Sequence, residues 1–175
     1  MARRKVSRNY PLEWKTDVVA ITDTTSATPV NGEFDLDLLP DEIAEIVGIH
    51  SQIDAGDVGK IDNVGQLGMY LSMDPDADDD PLVMGKLEDL EVFFTHHFSI
   101  GVNAVTAASV MWQSRTSTRD IWLPDKHPLL IGTNFSQVVN GASTVDILTA
   151  FMTTIYFRRR RASQADLANI LLKRR

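Results

Sequence analysis

The sequence predicts an all-β fold, an antiparallel β-sandwich of about eight strands. Three observations predict it. Short runs rich in Val, Ile, Phe and Thr recur along the chain, separated by Gly, Pro, Asn and Asp. Two segments, 33–38 and 145–157, alternate apolar and polar residues as half-buried strands do. No amphipathic helical pattern alternates with these runs, so a parallel α/β arrangement is not expected. With 175 residues and 43% hydrophobic residues, the chain suits one domain with a real core.

Residues 1–16 are expected to form a basic N-terminal arm, with Tyr10, Leu12 and Trp14 alternating so that its end lies against a sheet. A β-sandwich body is expected over 17–157. Its first strand is read at Asp17–Thr22. Asn31-Gly32 reads as a turn before a strand at Glu33–Leu38. Pro40 to Glu45 reads as the start of a short helix, followed by a strand from Ile46 to Ile53. Further strands are read at 65–73, 90–100, 104–114, 120–123, 129–132 and 144–157, with a loop at 74–81 and a turn at Asn140-Gly141. Residues 158–175 are expected to form a basic tail with a short helix. Ser163 is its N-cap, Asp166 reaches back three residues, and Leu167, Ile170 and Leu171 form an apolar stripe for packing on a neighbouring subunit.

The charge is segregated. Residues 1–15 carry Arg3, Arg4, Lys5, Arg8 and Lys15 against Glu13 alone. Residues 158–175 carry Arg158, Arg159, Arg160, Arg161, Lys173, Arg174 and Arg175 against Asp166 alone. The two ends thus hold 12 of the 17 basic and 2 of the 24 acidic residues, a net +10 flanking a body of net −17. Blocks of like charge at termini act as interaction tails, and Lys/Arg contacts to phosphates give sequence-independent, salt-sensitive binding. No aromatic residues interleave with the arginine run, so base stacking is not indicated.

Chemistry-bearing motifs are sparse. The chain has no cysteine, which removes disulfides, thiolate metal sites and cysteine nucleophiles. Asp74, Asp76, Asp78, Asp79 and Asp80 invite a calcium reading, but Asp79 stands where an EF-hand needs Gly and Gly85 where it needs Glu. A solvated acidic loop is the simpler expectation, with divalent-ion binding as the alternative. His96 and His97 are adjacent on an expected strand and face opposite sides, so they cannot share one metal. His50 and His127 stand alone, and the Asn134-Phe135-Ser136 sequon has no signal peptide to make it relevant. Neither a Gly-x-Ser-x-Gly elbow nor a phosphate-binding glycine loop is present. No catalytic residue, metal site or cofactor is expected, and the protein is not expected to be an enzyme. No apolar run reaches the ~20 residues of a membrane span. Pro11, Glu13, Lys15 and Asp17 stand where a signal peptide would be apolar, so a soluble protein without a cleaved signal is expected.

The basic arm at Arg3, Arg4, Lys5 and Arg8, the β body, the acidic remaining surface, and the stretches 90–101 and 122–132 resemble the small single-jelly-roll capsid proteins of icosahedral viruses. The resemblance implies a jelly roll, two four-stranded sheets packed as a sandwich. It implies a virion structural protein made in the host cytoplasm, with copies of itself and a nucleic-acid genome as partners, and no small-molecule substrate. In lineages with an internal membrane the basic ends would face lipid head groups. The basic C-terminal helix departs from the many members that carry only an N-terminal arm. The competing readings are a small nucleic-acid-binding β-barrel, which the acidic body disfavours, a fibre or connector subunit, and a ligand-binding sandwich.

Overall fold

A computed structural model of the chain describes residues 10–26, 28–54, 65–74, 76–82, 92–102, 110–118, 129–131, 134–142 and 149–173. Among them are nine strands and one helix: β1 (Leu12–Ile21), β2 (Val30–Asp35), β3 (Glu42–Asp54), β4 (Gly65–Ser72), β5 (Val92–Val102), β6 (Val110–Thr118), β7 (Leu129–Ile131), β8 (Asn134–Ala142), β9 (Thr149–Arg161) and α1 (Gln164–Lys173). The all-β expectation therefore holds. The strands form two antiparallel sheets, one in the order β1-β9-β3-β7 and the other β2-β8-β4-β5-β6.

The pairing is nested. β1 pairs with β9, β2 with β8 and β3 with β7, so early strands meet late ones in reverse order. Each sheet turns one face inward to a shared core. Val19, Ile21, Ile46, Phe151, Ile155 and Phe157 come from the first sheet. Phe34, Leu67, Met69, Leu71, Phe135 and Val139 come from the second. Phe34 stacks on Phe135 with centroids 4.8 Å apart, and Phe93 meets Phe135 edge-on at 5.5 Å. Each such fully buried side chain is worth roughly 1.5–3 kcal/mol before ordering costs.

Several local expectations are corrected. Both Asn-Gly pairs lie inside strands, Asn31-Gly32 in β2 and Asn140-Gly141 in β8. The glycines are there for space. A Cβ on Gly32 would sit 2.5 Å from Val19 Cγ2, and one on Gly141 2.7 Å from Thr24 Cγ2. The helix expected from Pro40 is a turn, with the Glu42 amide donating to the Leu39 carbonyl at 2.9 Å and Pro at its second position. β3 follows at once. The Pro-Asp-Glu signature serves a helix start and this turn equally, and pairing with β9 and β7 decides between them. β1 begins at Leu12, inside the span read as arm, and β9 runs past Phe157 to Arg161. The expected strand at 120–123 lies outside the described residues.

His96 and His97 do face opposite sides of β5. His96 points between the sheets, where its Nδ1 lies 2.9 Å from Ser51 Oγ, its Nε2 2.8 Å from Ser114 Oγ and its ring meets Phe151 edge-on. Burial, reinforced by the neighbouring His97 and His50, pushes its imidazole down to about 4. An unfolded chain protonates His96 near its ordinary value of ~6.5, whereas the folded chain does not until about pH 4. The stability that depends on neutral His96 is therefore complete above ~6.5 and lost as pH falls toward 4. Urea titrations across pH 4–7 are expected to show stability falling by up to ~1.4 kcal/mol per pH unit from this group, and His96→Asn is expected to flatten that slope.

Candidate functional site

The expected site divides into three groups. Arg3, Arg4, Lys5, Arg8, Arg174 and Arg175 lie outside the described residues. Lys173, Ile170 and Leu171 are in α1, with side chains outside what is described. Arg158 to Arg161 and Leu167 are described in full.

Register places the start of β1 beside the last residues of β9. Leu12, the first residue of β1, pairs with Arg158 on β9. The chain thus enters the first sheet and leaves it at the same end. Sequence alone could not show this, because it depends on β1 and β9 being neighbours.

The arginine run is the last stretch of β9, and its charges are met within the chain. Arg158 lies 3.9 Å from Glu45. Arg159 reaches Glu13 at 3.1 Å and Glu42 at 3.5 Å, and donates to the Asp37 carbonyl at 2.9 Å. Arg160 lies 3.4 Å from Glu45 and forms a two-pronged pair with Asp166 at 2.7 and 2.9 Å. Arg161 lies 3.3 Å from Asp41, with both side chains well exposed at 83% and 62%. The run is therefore not an open basic patch. Arg159 and Arg160 are structural ties among half-buried carboxylates. The Arg158 and Arg161 pairs are exposed or long, and such pairs contribute little. The composition read the arginines as unopposed because their counter-charges come from residues 13 to 45, far away in sequence.

The helix start is as its sequence suggests. Asp166 Oδ2 accepts from the Ser163 amide at 2.8 Å, and the Asp166 amide donates to Ser163 Oγ at 3.2 Å, which closes a capping box. The Leu167 amide donates to the Ser163 carbonyl at 3.1 Å to begin the helix. Leu167 is exposed at 48%. The Arg160 guanidinium, and then Ser163, hold the Asp166 carboxyl far below the usual range against the opposing cost of burial. Asp166 likewise raises Arg160. One carboxylate thus caps α1 and ties it to β9.

Two aspartates of the acidic loop accept local hydrogen bonds. Asp74 Oδ1 accepts from the Asp76 amide at 3.0 Å, and Asp80 Oδ1 from the Leu82 amide at 2.9 Å and Asn140 Nδ2 at 2.8 Å. Among the described residues no three His, Cys, Asp or Glu side chains are grouped to hold a metal ion. Asn134 of the sequon donates to Glu33 and lies in β8, not in a loop. Among the described residues no helix is long and apolar enough to cross a membrane.

Asp166→Ala removes the tie to Arg160 and the carboxylate half of the capping box, while Ser163 Oγ stays in place as N-cap. It is expected to cost about 1–2 kcal/mol and to release α1, read as loss of amide protection over residues 164–173 in hydrogen exchange. The contribution of Asp166 is present above its unfolded value of ~4 and lost as pH falls below it. No family model, curated protein or solved structure matches this chain.

Proposed function

We propose that this chain is a coat-forming subunit, a jelly-roll capsid protein that self-assembles into a closed shell and meets a packaged polyanion with its basic ends. The observation that carries the reading is the nested strand pairing. The nested pairing of β1-β9-β3-β7 and β2-β8-β4-β5-β6, with β6 at the edge of the second sheet, supports a hairpin rolled up in the jelly-roll manner. The fold alone assigns no function. The charge supplies the rest: net +10 at the ends against −17 in the body, with both ends joined to the sheet at one place.

Phosphate contact falls in this reading to Arg3, Arg4, Lys5 and Arg8 of the arm, to Lys173, Arg174 and Arg175 of the tail, and to the exposed Arg158 and Arg161. Arg159 and Arg160 hold the body and its helix. The barrel-type accessory protein is less well supported, since both sheets have free edges at β1, β7, β2 and β6 among the described strands.

Negative-stain microscopy of the purified protein, with and without nucleic acid, is expected to show regular closed particles. Monomers to tetramers under every condition would exclude the shell. Replacing Arg3, Arg4, Lys5 and Arg8 by Ala is expected to reduce the slope of log K against log salt for nucleic acid by about three to four, one phosphate contact per lost cation. An unchanged slope would remove the arm from the interface.

A further inference from the structure

The chain treats the outer faces of its two sheets differently. It covers much of the second sheet with its own acidic loop. Tyr70 Oη donates to the Asp79 carbonyl at 3.1 Å, Ser136 Oγ to the Asp74 carbonyl at 2.6 Å, and Asn31 Nδ2 to the Ala77 carbonyl at 2.7 Å. Gly68 lets Pro81 lie directly on β4, where a Cβ would be 3.0 Å from its carbonyl oxygen. Tyr70, Val138 and Asn140 are buried beneath this cover although they point away from the core. Among the described residues no such cover lies over β1 in the first sheet. Trp14 is 70% exposed, Val18 56% and Leu12 51%.

That bare face has relief. At one end Trp14 stands opposite Tyr156, whose ring lies 3.9 Å from where a Cβ on Gly48 would be. At the other end Val18, Ala150, Met152, Gln52 and Asp54 line an open hollow of about 350 Å³. Between them runs a row across three strands: Thr16, Thr154 and His50, with the two threonine hydroxyls 2.8 Å apart. Trp14 and Val18 are each two residues, ~7 Å, from Thr16, on the same face of β1.

A face with a knob and a hollow at equal distances from a central row is complementary to itself. A two-fold axis lying in the face along that row exchanges them, so that each residue contacted contacts in return. Thr16 and Thr154, which meet their own copies on the axis, bear no charge. From Leu12 to Ala20 on β1 and from Ala150 to Tyr156 on β9 the outward positions hold no Lys, Arg, Asp or Glu, so a polyanion or lipid head-group surface finds nothing to bind. The charges stand at the ends, Arg158 beside the knob and Asp54 beside the hollow, and the same axis brings the Arg158 end of one copy over the Asp54 end of the other. Edge-to-edge pairing is the alternative route to self-association. The free edge of β1 opposes it by turning Glu13, Lys15 and Asp17 toward the inner side, a device that blocks strand addition.

We propose that the outer face of β1, β9 and β3 is a two-fold contact between copies of this chain, with Trp14 of each seated in the hollow beside Val18 of the other. The inference rests on the self-assembly reading for the identity of its partner, and it specifies which face that partner meets. Trp and Tyr, here Trp14 and Tyr156, are residue types enriched at interface centres.

The test is a pair of exposed-site variants, Trp14→Glu and Val18→Lys, each checked by circular dichroism for a native fold and examined by sedimentation velocity. Wild type is expected to dimerise, and each variant alone to associate ~30-fold or more weakly. Mixed together, they are expected to recover most of the wild-type affinity. In the mixed pair one of the two symmetry-related contacts sets the introduced carboxylate against the introduced ammonium, and the other is the native Trp14–Val18 contact, an outcome only the proposed geometry gives. Wild type that stays monomeric, variants that associate like wild type, or a mixture that does not recover would each overturn the contact. Microscopy of the same samples separates this inference from the coat reading. Full particles from Trp14→Glu would reject this face and leave the shell standing. Wild-type dimers with the expected mixing behaviour but no particles would support the face and reject the shell.

Discussion

Strand β9 is the element on which the rest of the structure depends. It lies between β1 and β3 and pairs with both along most of its length. Its inward side chains Phe151, Ile155 and Phe157 are fully buried in the core, and its outward Met152, Thr154 and Tyr156 form the middle of the bare face. Its last residues carry the arginines that tie down the sheet end and α1. Neither of its strand partners is local. Leu12 pairs with Arg158 and Glu42 with Arg161, so the first sheet cannot close until nearly the whole chain exists. Such non-local pairing folds slowly, because loop-closure entropy is lost before contacts compensate for it.

The same placement explains the charge arrangement at that end. Four consecutive arginines at ~3.3 Å per residue would repel one another on a bare strand. The fold surrounds them with Glu13, Asp41, Glu42, Glu45 and Asp166, drawn from both of β9's neighbours, from the turn before β3, and from the helix. Half-burying Arg159 and Arg160 is tolerable only because these carboxylates and the Asp37 carbonyl accept from them. Charge runs at a chain end are ordinarily solvated tails. Here the run is a strand, and its two inner members are the ones held most closely by carboxylates.

What could be read in the sequence follows from how local each signal is. Alternation at Thr149–Phe157 and the Ser163–Asp166 capping box are local, and both are present as written. The opposed directions of His96 and His97 follow from strand geometry alone. The two Asn-Gly pairs misled because a glycine that makes room for Val19 or Thr24 looks the same in sequence as one that makes a turn. The pairing of the arginines and the cover over the second sheet were invisible for one reason. Most of their contacts join residues dozens to more than a hundred positions apart, as Arg159 joins Glu13 and Asn140 joins Asp80.

The two surface features constrain each other. Both basic ends attach at the Leu12–Arg158 end of the first sheet. A two-fold axis across the strands at Thr16 sends those ends in opposite directions along the strand axis. If strands stood upright in a shell wall, one copy's basic ends would face the interior and its mate's the exterior, which defeats neutralisation of a packaged polyanion. Strands lying along the wall put both sets of ends at the sides of the dimer, where the interior is equally within reach of either copy. The proposed two-fold face and the proposed polyanion contact at the basic ends are therefore compatible in a shell when the strands run along its wall and both copies stand at the same depth. The acidic loop on the second sheet, on the side of the subunit away from the paired faces, is then kept clear of that contact and adds no like-charge repulsion to it.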